Sequence, residues 1–174
     1  MGDKISEEKK IQVKINDDVV DFYLGIKYFL HTERIDGTIH FFLANKLAEK
    51  GFVPVIFTRE KEEVAKTKYP ENSTLYFFST TVKKPNIFSP KSLDYLVRIV
   101  YETNPRNFFV LFDCLDYLFL YNEKKEVLRF AERLFDAISG KQAILIFLIC
   151  LPLFEPRDLA LLERFGEVLP LVEE

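Results

Sequence analysis

Five short apolar runs recur along the chain with room for one helix between each pair, and this spacing limits the fold more than any other feature. They are Tyr28 to Leu30, Phe52 to Thr58, Ser73 to Ser79, Asn107 to Asp113 and Ala143 to Ile149. The fourth, NFFVLFD, is apolar from Phe108 to Phe112, and the fifth, AILIFLI, has no polar residue at all. Such runs suit strands covered on both faces, as parallel strands are. With helical stretches of roughly ten to fifteen residues between the runs, the pattern predicts an α/β three-layer sandwich with a mainly parallel central sheet.

Local signals place the remaining elements. Ile11, Val13 and Ile15 alternate with polar residues, which predicts a half-buried edge strand ending at the turn Asn16-Asp17-Asp18. Asp36 is placed to cap a helix that runs to Gly51, and Lys61 to Tyr69 reads as a short charged helix stopped by Pro70. Pro54 is best tolerated at a strand start or an edge. Thr80 to Ser89 is the longest irregular stretch. Ser89-Pro90 signals a helix start, with Leu93, Leu96, Val97, Val100 and Tyr101 as its core stripe and Tyr95 and Ile99 off it. From Lys124 to Ser139 the stripe is Val127, Ala131, Leu134 and Ile138, with Phe130 outside it. Pro156 opens a last helix, and Val168 to Leu171 is a candidate final strand. Residues 1–10 read as a flexible charged N-terminus and 11–174 as a single α/β domain.

The core is built from rings without a polar handle, since the chain has 18 Phe and no Trp. A net charge of -3 without a basic run argues against nucleic-acid binding, which depends on neutralising many phosphates, and against an anionic membrane surface. The longest apolar run, Ala143 to Phe154, is shorter than the roughly 20 residues that span a bilayer and is interrupted by Pro152. The start MGDKISEEKK has no apolar segment of the secretory kind, so a cytoplasmic location is expected. Cys114 and Cys150 each follow a strongly apolar stretch; they read as small buried hydrophobes or as a redox or metal pair.

In open parallel sheets, ligands bind beyond the carboxyl ends of the strands, so chemistry is sought just after each run. The segment FVLFD has the shape of a Walker B strand, whose terminal acid serves magnesium in phosphoryl transfer. Asp113 is read in preference as a cap for the following helix, with Asp116 beside it. The phosphate loop GxxxxGK[ST] that would complete a nucleotide site belongs after the first core strand, where the chain has TERIDGT. Gly37 and Thr38 occupy the end of that segment with no lysine between them, and Glu33 and Asp36 put negative charge where a phosphate would sit. Arg59 projects toward the same crevice, as the partner of an ion pair or as an anion-binding group. His31 and His40 show no metal-ligand spacing, and the common enzyme signatures are absent. No catalytic residue, metal set or cofactor is assigned.

The segments GIKYFLHTERIDGTIHFFLANKLAEKGFVPVIFTRE, FFVLFDCLDYLFLYN and LPLFEPRDLALLERF resemble the archaeal family called domain of unknown function 835, from about Val19 to Phe165. The layout is also similar to the core of KaiC and RecA-type ATPases. The resemblance implies a RecA-like sheet with a degenerate phosphate loop and no Walker A motif. It also implies a strand order of third, second, fourth, fifth, first, which makes the strands ending at Asp113 and Ile149 neighbours and opens the question of a Cys114–Cys150 bridge. It names no reaction. The expected function is that of a non-catalytic regulatory or scaffold protein acting through protein–protein contacts. Its partner is an unidentified protein, with a homodimer as one form of assembly and Tyr95, Ile99 and Phe130 as candidate contact residues. The alternative is a nucleotide or phosphoryl-ligand binder using Arg59, Asp113, Asp116, Gly37 and Thr38.

Overall fold

The computed structural model describes residues 10–15, 17–105, 107–164 and 166–170. The N-terminal tail expected over residues 1–10 lies outside them, except for Lys10. The elements in chain order are β1 (Lys10–Ile15), β2 (Asp18–Tyr23), β3 (Lys27–Thr32), α1 (Ile39–Glu49), β4 (Val53–Thr58), α2 (Glu62–Lys68), β5 (Thr74–Phe78) and β6 (Ile87–Phe88). Then follow α3 (Leu93–Glu102), β7 (Phe108–Phe112), α4 (Leu115–Tyr121), α5 (Lys124–Ile138), β8 (Ala143–Cys150), α6 (Pro156–Glu163) and β9 (Glu167–Val168).

Among the described residues, seven strands form one parallel sheet in the order β6-β5-β4-β7-β8-β3-β9, while β1 and β2 pair antiparallel as a separate hairpin. The inner order β5-β4-β7-β8-β3 is the third-second-fourth-fifth-first order expected. Alternating side chains feed two apolar layers. Phe109, Leu111, Ile144 and Ile146 join α1, Ala65 of α2 and the β1–β2 hairpin on one face; Phe108, Val110, Phe112, Leu145 and Phe147 join α3 to α6 on the other.

A row of rings crosses this second face. Tyr76, Phe57, Phe112, Phe147 and Phe29 stand side by side on β5, β4, β7, β8 and β3, in register at each step. Successive centroids are 4.9, 5.3, 6.2 and 5.8 Å apart. Phe130 of α5 meets this row edge-on at Phe112, 5.6 Å between centroids.

Several expectations are corrected here. Phe130 is 2% exposed, so it is not a contact residue: three residues after Val127 and four before Leu134, it lies on the buried stripe. Ile99 is half-buried against the same layer, and Tyr95, 52% exposed, is the one candidate of the three at the surface. Tyr101 is exposed, with its ring beneath the Lys141 ammonium at 5.2 Å, not part of the α3 stripe. Helix α3 starts after Ser92; Ser89 and Pro90 form the preceding turn, in which Ser89 Oγ accepts from Lys91 N. The stretch 80–89 is less irregular than expected, since Ile87 and Phe88 add the edge strand β6. Pro54, the second residue of β4, lies at a strand start, one of the two places expected for it, in a strand inside the sheet. It is tolerated because pairing with β5 begins one residue later, at Val55.

At the other edge the chain passes close over β3. A methyl group added at Gly166 would lie 2.3 Å from Phe29 Cε2, inside the buried ring row. Gly166→Ala is expected to lower stability by about 1–3 kcal/mol through overpacking, read as the shift of the urea-unfolding midpoint.

Candidate functional site

The carboxyl ends of β3, β4, β7 and β8 surround a crevice of about 270 Å³. Gly37, Arg59, Asp113 and Asp116 all line it, together with Arg34, Glu60 and His40. Thr38 does not. It is the N-cap residue of α1 and faces a separate hollow beside Phe41, Phe42 and Lys46.

Asp113 follows β7 directly, one residue beyond the ring row, and its carboxylate is engaged on both oxygens. Oδ2 accepts from Thr58 Oγ1 and from the Tyr69 hydroxyl, each at 2.5 Å, and Oδ1 accepts from the Arg59 backbone N–H at 3.1 Å. Thr58 Oγ1 in turn accepts from Glu60 N at 3.0 Å. The acid therefore joins the end of β7 to the end of β4 and to Tyr69 at the end of α2. This corrects the reading of Asp113 as a helix cap: the N-cap of α4 is Cys114, and the Asp113 side chain turns back across the sheet.

Of the two readings of Arg59, the structure shows the ion pair. Its guanidinium pairs with Asp116 at 3.3 Å, not with Asp113, and lies over the Tyr117 ring at 4.7 Å. Asp36 does not cap α1 with its side chain. It receives Nε and Nη2 of Arg34, each at 3.3 Å, and this pairing holds its carboxyl below the usual range. The connection from β3 to α1, residues 33–38, is held by a turn in which Gly37 N donates to Arg34 O at 3.2 Å. His31 lies away from the crevice, its Nε2 donating to Glu163 Oε1 on α6. His40 is buried, its ring 6.1 Å from that of Tyr69.

Cys114 and Cys150 are both buried and no disulfide joins them, so the question of a bridge is answered in the negative. Burial pushes the Cys114 thiol well up, and it donates to Phe57 O at 3.7 Å. Among the described residues, no three His, Cys, Asp or Glu side chains stand close enough together to share a metal ion. Among them, too, no helix is long and apolar enough to cross a membrane.

Tyr69 is the partner of Asp113 that sequence reasoning missed. It lies 44 residues from Asp113, at a helix end that spacing marks only as a stop before Pro70. The one signal for it was a tyrosine on a short, otherwise charged helix, where a ring reaching the core needs a partner for its hydroxyl.

Burial sets the electrostatics of the site. It pushes the Asp113 carboxyl up to about 6, outweighing the Thr58, Tyr69 and Arg59 donors that favour the charged form. It also raises Asp116, against the pull of Arg59, and pushes the Tyr69 hydroxyl well up. The folded chain thus holds the Asp113 proton more tightly than the unfolded chain does, where aspartate titrates near about 3.9. The stability this acid contributes is full below about pH 4 and is lost as the pH rises through about 6. Urea unfolding across that window is expected to show a fall of up to about 3 kcal/mol that Asp113→Asn removes, leaving only what Asp116 and other groups add.

The chain matches the family described as "Protein of unknown function (DUF835)" over residues 36–165. No curated protein matches it. Among solved structures, a Pyrococcus horikoshii OT3 protein determined as a structural-study project has 12% sequence identity and a TM-score of 0.58, over 83% of this chain and 80% of that one. At that identity the likeness is one of fold, and 62 solved chains match in all, so the fold by itself selects no activity.

Proposed function

The chain belongs to the DUF835 family, whose description states no activity, and on that premise we propose that the protein is a non-catalytic regulatory or scaffold protein that works through protein–protein contacts. The observation that carries this reading is the state of Asp113: both carboxylate oxygens are spent on Thr58, Tyr69 and Arg59, so the acid at the place of a Walker B residue serves the chain itself. The β3–α1 connection points the same way, since it lacks the lysine of a phosphate loop and carries Glu33 and Asp36. The strand order supports descent from a RecA-like sheet with a degenerate phosphate loop. Surface for contacts is available in Tyr95 and Tyr101 of α3 and Leu120 and Tyr121 at the end of α4, all exposed. The partner is an unidentified protein, a second copy of this chain included, and the setting is the cytoplasm.

A second reading, a nucleotide or phosphoryl-ligand binder, draws support from one fact: the crevice gathers Gly37, Arg59, Asp113 and Asp116 at the carboxyl ends of the central strands. Thermal unfolding with ATP, GTP and cyclic nucleotides, each with magnesium, separates the two. Under the first reading no nucleotide moves the transition. A ligand at a hundred times its dissociation constant adds about 2.7 kcal/mol, and a shift of that size that disappears in Arg59→Ala establishes the second reading and ends the first.

A further inference from the structure

The hydrogen bonds around Asp113 run in series. Glu60 N donates to Thr58 Oγ1, Thr58 Oγ1 donates to Asp113 Oδ2, and Arg59 N donates to Asp113 Oδ1, so the first residues of the β4–α2 loop are positioned by one carboxylate. That loop also sets where the Arg59 guanidinium lies, between Asp116 and the face of Tyr117. Oδ2 meets two hydroxyl donors at 2.5 Å, Thr58 and Tyr69. A proton placed on that oxygen points at groups that are themselves donating. One hydroxyl must then turn its own hydrogen away and accept instead, and the bonds that remain to the neutral acid lose their charge assistance. The bonds that hold the loop are therefore strongest while Asp113 is ionised.

We propose that Asp113 is a proton-operated latch on the β4–α2 loop: ionised, it holds Thr58, Arg59 and Tyr69 together, and protonated, it lets Arg59–Glu60 move and frees the Arg59 guanidinium from Asp116. The proton comes from solvent through the crevice that Asp113 lines. The groups facing the carboxyl are Tyr69 at the end of α2, Arg59 and Glu60 in the loop after β4, and Cys114 and Asp116 in the turn into α4. His40 of α1 stands behind Tyr69 and also lines the crevice. The titration of Asp113, pushed up to about 6, brings the latch within reach of mild acidification. The device goes beyond the protein-contact reading and needs no partner, so its failure would leave that reading standing.

The latch separates two quantities that ordinarily move together. On acidification the fold as a whole gains stability, because the buried charge is removed, while the β4–α2 loop loses the charge-assisted bonds that hold it; the loop moves without returning the Asp113 carboxyl to solvent. Amide hydrogen exchange followed by NMR on the full chain between about pH 7.5 and pH 4.5, corrected for the intrinsic pH dependence of exchange, reads the second quantity directly. The protection factors of the Arg59 and Glu60 amides are expected to fall about tenfold with a midpoint near 6. Those of Val110 and Ile146, in the sheet interior, are expected to hold or rise. Asp113→Asn should abolish the transition. Tyr69→Phe, which removes one donor to the carboxylate and keeps the ring, should move the midpoint upward, and it serves as the test if Asp113→Asn does not fold. Flat protection at Arg59 and Glu60 in the unaltered protein, an equal fall in Asp113→Asn, or an unmoved midpoint in Tyr69→Phe overturns the latch.

Discussion

The row of rings Tyr76, Phe57, Phe112, Phe147 and Phe29 is the contact on which the rest of the structure depends. It crosses five adjacent strands at one level, so the register of each strand is tied to that of the next. Because side chains alternate along a strand, a slip of one residue at any pairing would turn a ring from the α3–α6 layer into the layer of α1 and the hairpin. The same row receives Phe130 of α5 on one side and leaves no gap at Gly166, where the chain passes over Phe29. Packing of this kind fixes the heights of the strand ends to the accuracy that hydrogen bonding beyond them requires.

One residue past the row, that accuracy is used. Thr58 and Asp113 are the first residues beyond Phe57 and Phe112, and their side chains meet at 2.5 Å. The ring register therefore sets the reach of the Asp113 carboxylate, and the carboxylate sets the course of the loop that carries Arg59. The crevice is in this sense a consequence of the core. Its acid is buried enough to resist ionisation and surrounded by enough donors to ionise near neutral pH, a balance that neither burial nor hydrogen bonding alone would produce.

Much of the fold was legible because parallel strands need both faces apolar. The runs at Asn107 to Asp113 and Ala143 to Ile149 could hardly be anything else, and Pro156 marked the start of α6 without ambiguity. Where the reading failed, a competing contact overrode the local signal. Asp36 has the residue type of a helix cap, yet Arg34 draws its carboxylate away; Ser89-Pro90 has the form of a helix start, yet β6 holds the preceding residues in the sheet. Tyr101 fits an apolar stripe by spacing, but α5 packs on α3 from a direction that leaves it in solvent beside Lys141. Phe130 shows the reverse: the helical period already placed it with Val127 and Leu134, and the structure follows the period.

The sequence by itself determined the α/β class, the positions of the principal strands and helices, and the lack of a lysine-bearing phosphate loop, because each depends on residue type and local period. It also singled out Asp113 and Arg59 as strand-end residues. What they do there was decided by tertiary structure alone. Hydrogen bonds between groups 44 to 57 residues apart leave no trace in spacing, and those bonds give Asp113 to Thr58 and Tyr69 and give Arg59 to Asp116. They form only because a row of rings, in register across five strands, brings the strand ends to one height.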